Sequence, residues 1–167
     1  MSTLIILGSA RKDSHTRTLL KTVFADTPHD LIDLLDYNIA TFDYDAKYPS
    51  SDQFGEVIQK MIDANTIIFA TPVYWYSMSG MMKTFFDRFT DLVSVEKEKG
   101  RKLAGKRTFL FSVGAASEPP MGFEVPFSDT SAYLDMNYIE GIYFSSRGET
   151  FDGIIQTARN FLDKINQ

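Results

Sequence analysis

The sequence predicts an α/β three-layer sandwich: a parallel sheet of five strands in the order 2-1-3-4-5, with helices on both faces. Three observations predict it. Leu4–Leu7 and Thr66–Ala70 are apolar runs without polar alternation, the pattern of strands buried on both faces. Apolar residues at helical spacing recur between the strand-like runs, so strands and helices alternate along the chain. Right-handed crossovers between five such strands fit the order 2-1-3-4-5, in which a crevice opens between strands 1 and 3.

Leu4-Ile5-Ile6-Leu7 is the first strand. It runs into Gly8-Ser9-Ala10-Arg11-Lys12-Asp13-Ser14-His15-Thr16, and Leu19, Leu20, Val23 and Phe24 then give a helix one apolar face, capped by Asp13 or Ser14. Pro28 closes that unit, Asp30–Leu34 is a second short strand, and residues 37–51 read as a loop. Ser51 or Asp52 starts a helix with apolar residues at Phe54, Val57, Ile58, Met61 and Ile62. Thr66–Ala70 is the third strand and ends at Thr71-Pro72. After a loop over 73–80, Ser79 caps a helix with Met82, Phe85, Phe86, Phe89, Leu92 and Val93 on one face. The charged stretch 96–107 reads as a solvated connection, and Thr108–Val113 is the fourth strand, ended by Gly114. Residues 114–126, with three prolines and two glycines, form a second long loop. A short helix over about 128–136, a last strand within 138–145 and a final helix with Ile154, Ile155, Ala158, Phe161, Leu162 and Ile165 on one side complete the pattern.

At 167 residues and 44% apolar content the chain is expected to form one domain over 1–167 with a real core. A net charge of −5 argues against a nucleic-acid surface, which needs a basic excess. No apolar run approaches the length of a membrane span, and no leader is expected ahead of a strand that begins at Leu4, so the cytoplasm is the expected location. The absence of cysteine removes disulfides, thiolate chemistry and cysteine-ligated metal centres. Two histidines far apart in sequence, His15 and His29, make a histidine metal site unexpected. Aromatic residues reach 14%, and the phenylalanines are expected in the core.

The chemistry-bearing residues fall in the three loops at the carboxyl ends of strands 1, 3 and 4, where such sheets bind ligands. Loop 8–16 leaves a strand and opens a helix, whose N-terminus offers unpaired N–H groups and the positive end of the dipole. Ser9, Ser14 and Thr16 add hydroxyl donors and Arg11 a fixed positive charge, a set suited to a phosphate. The loop is neither G-x-G-x-x-G nor a Walker P-loop. In loop 71–80, Pro72 fixes φ and the following amides are available to a planar heterocycle. Tyr74, Trp75 and Tyr76 either stack on that ring, pack locally or form a subunit contact. His15 is read as phosphate-adjacent or surface, Asp87 and Arg88 as a structural ion pair or subunit contact, and Lys83 as pointing to solvent.

Gly8 to Arg17 closely resembles the G-S-x-R-x-x-S-x-N/T stretch of the NAD(P)H-dependent FMN reductases, which are flavodoxin-like flavoproteins. Thr71-Pro72-Val73-Tyr74-Trp75, leading to Ser79–Arg88, is similar to their second signature. The resemblance implies that Ser9, Arg11, Ser14 and Thr16 hold the FMN phosphate, and His15, at the helix start, is counted with them in the cofactor-binding set. It implies that Pro72, Val73, Tyr74 and Trp75 line the isoalloxazine ring, and that Gly114 and Ala115 supply a third loop. Trp75 departs from the asparagine often found after the tyrosine, and Asp13 from a small residue.

The function expected from this resemblance is an FMN-dependent NAD(P)H oxidoreductase. A hydride would pass from NADPH or NADH to flavin N5, and electrons would then reach a small acceptor such as a quinone, flavin, azo or nitro compound, or metal oxyanion. No side chain is required as a catalytic acid or base. Backbone N–H groups at 73–75 would stabilise negative charge on the reduced ring. The family commonly forms dimers or tetramers, so a homodimer or homotetramer is expected. The competing reading is a flavodoxin-type FMN electron carrier without NAD(P)H activity, against which Arg11 argues.

Overall fold

Alternate residues of the first strand enter two different cores. In the computed structural model, which describes residues 2–147 and 151–166, Leu4 and Ile6 join one apolar cluster and Ile5 and Leu7 the other. The elements in chain order are β1 (Thr3–Leu7), α1 (His15–Val23), β2 (Asp30–Asp33), a 3-10 turn at Leu34–Asp36, α2 (Phe54–Asp63), β3 (Thr66–Pro72), α3 (Gly80–Asp87), α4 (Phe89–Ser94), α5 (Lys97–Arg101), β4 (Arg107–Gly114), α6 (Val125–Tyr133), β5 (Asn137–Ser145) and α7 (Phe151–Ile165). The strands pair in parallel in the order β2-β1-β3-β4-β5, as expected. The sheet is the middle layer of a flavodoxin-like sandwich.

The pleat distributes side chains between the outer layers. Ile67, Phe69 and Leu110 meet residues of α2, α3, α4 and α6, whereas Ile68, Ala70, Phe109 and Phe111 meet α1 and α7. Each leucine or isoleucine buried in this way contributes about 2 kcal/mol. Among the described side chains, the phenylalanines other than Phe42 fill the core: Phe86 lies 5.0 Å from Phe69, 5.1 Å from Phe127 and 5.0 Å from Phe89, ring centroid to centroid.

Four local expectations are corrected. The second helix starts at Phe54 and no side chain caps it, because Asp52 instead accepts from the Ala40 amide and from Arg88. The helix expected from Ser79 onward is two, α3 and α4, with Arg88 between them. Stretch 96–107 is not a solvated connection throughout. It holds α5, with Gly100 buried against Leu92, and Leu103 is fully buried. The short helix near 128–136 runs from Val125 to Tyr133, with Pro126 in its first turn, the position proline tolerates best.

The buried Arg88 explains the first two corrections together. Its guanidinium donates to both carboxylate oxygens of Asp52 at 3.0 Å, to Asp91 at 2.8 Å and to the Ala40 carbonyl at 3.1 Å. It also lies 3.4 Å from the Tyr48 ring centre. Burial works against the charge, but the hydrogen bonds to Asp52 and Asp91 more than offset it, and the pKa is held above the ordinary arginine value. Arg88 thus fastens loop 37–53 to α4. The structural ion pair expected at Arg88 is present, with Asp52 and Asp91 as partners, while Asp87 pairs with the exposed Lys83.

Candidate functional site

The loops after β1 and β3 are joined at Gly8. Its N–H donates to the Ala70 carbonyl at 2.8 Å, and its carbonyl accepts from the Ser79 hydroxyl at 2.6 Å. A Cβ on Gly8 would lie 2.9 Å from Cβ of Met82, so only glycine lets α3 pack this closely against the loop. Ser79 caps α3 as expected, accepting from the Met82 amide, and its own amide donates to Thr71.

Loop 8–16 is rich in donors without acceptors. Among the described residues, none of the backbone N–H groups from Ser9 to Thr16 donates to the protein. The Ser9 hydroxyl is completely buried and has no partner. A buried hydroxyl left unpaired costs about 1–3 kcal/mol, so this atom points to a missing acceptor. Ser14, rather than Asp13, caps α1: its Oγ accepts from the Arg17 amide at 3.2 Å, which leaves its O–H to donate elsewhere. Thr16 is buried, and His15 is exposed at the mouth.

Electrostatics single out Arg11 among the nearby cations. Asp33, buried at the carboxyl end of β2, holds both Arg17 and Lys12, and Lys12 also pairs with Asp36. The Asp36 hydrogen bond is the main reason that the Lys12 pKa is raised. Arg11 has only a long 3.8 Å contact with Asp13, whose side chain is 88% exposed. Asp13 therefore turns outward, and Arg11 remains available to an anion.

The loop after β3 forms a tight turn. Tyr74 and Ser77 exchange both backbone hydrogen bonds, at 2.9 and 3.0 Å, and the two residues between them, Trp75 and Tyr76, have φ of 47° and 66°. This is the I′ hairpin geometry, normally filled by Asn-Gly. Two bulky aromatics here cost about 1 kcal/mol or more each. Trp75 is 93% exposed and does not line the cleft. The amides of this loop are less free than the sequence suggested. Val73 donates to the Val113 carbonyl and Tyr74 to Ser77, so Trp75 is the one residue of 73–75 with an uncommitted amide, alongside its neighbour Tyr76.

The three loops enclose one cleft of about 330 Å³. Arg11, Ser14, His15 and Thr16 line it from the first loop, Pro72, Val73 and Tyr74 from the second, and Gly114 and Ala115 from the third. The structure thus brings together the sequence-selected residues except Ser9, which lies buried in the first loop, and Trp75, at the exposed tip. Val113 and Ser146 also line the cleft and were not foreseen. Ser146 follows β5 directly, so the rule that ligands sit at the carboxyl ends of strands was the signal that could have found it. Another cleft of about 330 Å³, between α4 and α6, has Asp129 as its one charged lining residue and lacks a cation for phosphate. No helix among the described residues is long and apolar enough to cross a membrane.

Comparison with known proteins gives a consistent picture. The sequence profile of the NADPH-dependent FMN reductase family matches residues 1–150. The chain is 25% identical over 122 residues to YwqN of Bacillus subtilis, assigned as an NAD(P)H-dependent FMN-containing oxidoreductase; the match covers 68% of this chain and 67% of that protein. It is 32% identical over 96 residues to the FMN-dependent NADPH-azoreductase of Staphylococcus haemolyticus, covering 52% of this chain and about half, 51%, of the azoreductase. In fold it is similar to the flavodoxin, WrbA-like protein of Agrobacterium tumefaciens, with a TM-score of 0.70 at 16% identity over 98% of this chain and 94% of the other.

Proposed function

Because this chain belongs to the NADPH-dependent FMN reductase family, we propose that the cleft at the carboxyl ends of β1, β3 and β4 binds FMN, and that the protein passes electrons from NADPH or NADH to a small acceptor. Membership makes the chain an FMN-dependent NAD(P)H oxidoreductase. Quinones, free flavins, azo and nitro compounds and metal oxyanions are the acceptor classes of the proposal. The observation that carries the site is the buried, unpartnered Ser9 hydroxyl in a loop whose amides from Ser9 to Thr16 have no protein acceptor among the described residues.

The residues present fit the cofactor. Ser9, Ser14 and Thr16, with the surrounding amides, donate to the phosphate, and Arg11 and the positive end of α1 neutralise it. His15 closes the phosphate end on the solvent side. Pro72, Val73 and Tyr74 line the ring system from the second loop, with the Trp75 backbone at the rim, and Gly114 and Ala115 line it from the adjoining third loop. Bound FMN supplies two-electron transfer between nicotinamide and acceptor. The Trp75 and Tyr76 amides, without a protein acceptor among the described residues, would donate to ring oxygens and stabilise negative charge there. Protein side chains position and neutralise; none is assigned a proton transfer.

Residues 1–167 act in this proposal as one domain, in the cytoplasm, as a homodimer or homotetramer. The exposed Trp75–Tyr76 tip is suited to serve both ligand and subunit contact. The deciding experiment is the visible spectrum of the purified protein before and after anaerobic NADH or NADPH. A flavin spectrum bleached by either donor is expected, with ping-pong steady-state kinetics. Protein that refuses FMN on reconstitution would overturn the site, and bound flavin that neither donor bleaches would favour a flavodoxin-type carrier.

A further inference from the structure

The β4 wall of the cleft takes its shape from a residue that does not line it. In the register of β4 with β5, Ser112 stands beside Tyr143 and Gly114 beside Ser145. The Tyr143 side chain reaches along this edge toward the end of β4. A Cβ on Gly114 would lie 2.5 Å from the Tyr143 hydroxyl oxygen, 3.0 Å from Cε2 and 3.2 Å from Cζ, so the ring rests on bare backbone at residue 114. The hydroxyl then donates to the Ala116 carbonyl at 2.7 Å. The Ser146 amide donates to the Gly114 carbonyl, also at 2.7 Å. Among the described residues, no other hydrogen bond fixes the backbone from Gly114 to Glu118 beyond the end of the strand ladder.

We infer that Tyr143 is a positioning residue for the cofactor cleft: its ring and hydroxyl together fix the path of residues 114–116, and so the space between that wall and the Tyr74 turn. Gly114 is the other half of the device, since any side chain there would displace the ring. The inference rests on the proposal that the cleft holds FMN. It predicts a signature distinct from that of the phosphate loop. A slack wall weakens the hold on the ring system and so affects FMN and riboflavin alike, whereas loss of a phosphate contact affects FMN alone.

The test compares full-length wild type with Tyr143→Phe and Gly114→Ala. Affinities for FMN and riboflavin are measured by flavin fluorescence titration, and amide hydrogen exchange of Ser146, which donates to the Gly114 carbonyl, is followed in the flavin-free protein. Tyr143→Phe keeps the ring and removes the hydroxyl that donates to the Ala116 carbonyl. It should retain the wild-type circular dichroism spectrum and unfolding midpoint, exchange faster at the Ser146 amide, and bind both flavins about fivefold more weakly. Gly114→Ala should reproduce the pattern by pushing the ring away. Unchanged flavin affinity in Tyr143→Phe, or unchanged exchange at the Ser146 amide, would overturn the inference. Wild-type protein that bound no flavin would overturn the proposed function, and faster exchange in Tyr143→Phe would then still establish that Tyr143 sets the wall.

Discussion

The hydroxyl of Ser79 donates to the carbonyl of Gly8 at 2.6 Å across a sequence separation of 71 residues. This bond ties the loop after β1 to the aromatic turn that leads into α3. The same hydroxyl oxygen caps α3 by accepting from Met82 at 3.1 Å. Ser79→Ala therefore removes a cap and leaves a buried carbonyl without its donor. It should lower stability by about 2 kcal/mol in urea unfolding and weaken FMN binding. A loss no larger than that of an ordinary surface substitution would show that the two loops hold their spacing without it.

Arg11→Ala should weaken FMN much more than riboflavin, because only FMN carries the phosphate. Arg17 and Lys12 are committed to Asp33 and cannot substitute for it. A charge-assisted contact of this kind contributes roughly 1.5–3 kcal/mol. Equal weakening of the two flavins in parallel titrations would place Arg11 away from the phosphate.

Arg88→Met should be among the most destabilising single changes in the chain. It strands the carboxylates of Asp52 and Asp91, whose side chains are 10% and 4% exposed. Breaking a buried pair from one side costs about 3–5 kcal/mol. Loop 37–53 should become sensitive to proteolysis at the same time. Resistance to proteases, with unfolding unchanged, would refute the fastening role.

Tyr138 gives an alkaline signature. Burial, reinforced by its hydrogen bond to Glu124 at 2.7 Å, pushes its pKa well above the ordinary tyrosine value. The neutral phenol is favoured in the folded state, so above about pH 10 the folded protein holds a proton that the unfolded chain releases. Its contribution to stability is complete below that pH and is lost as the pH rises beyond it. In a phenolate titration at alkaline pH, Tyr138→Phe should remove a tyrosine that titrates above the ordinary range and flatten the loss of stability. An unaltered titration curve would contradict the burial argument.

Trp75→Gly should stabilise the protein by about 1 kcal/mol, because glycine adopts the left-handed turn without strain and the lost indole packs against little, being 93% exposed. Trp75 is the one tryptophan, so wild-type indole emission reports this turn alone. It should be quenched in the flavin-loaded protein and recover on flavin removal. Thermal unfolding that places the variant below wild type would show that the turn is held by contacts the indole makes.

The sequence by itself determined what depends on local chemistry. The strand order followed from apolar runs and helical spacing. The helix caps at Ser14 and Ser79 followed from short polar side chains placed just before apolar periodicity. The three loops that enclose the cleft followed from their place at the carboxyl ends of parallel strands. Residues such as Arg11, Ser14, Thr16, Pro72 and Gly114 were legible because their types carry the reason for their positions. What only the tertiary structure decided were pairings between residues far apart in the chain. Nothing in the periodicity of the α3–α4 stretch shows that Arg88 turns inward to Asp52, ending one helix and depriving α2 of its cap. Likewise the commitment of the Val73 amide to Val113, the left-handed turn at Trp75 and Tyr76, and the reach of Tyr143 over Gly114 depend on which backbone groups meet once the sheet is assembled. Local propensity is written residue by residue, whereas hydrogen-bond satisfaction is settled only when distant segments compete for the same donors and acceptors.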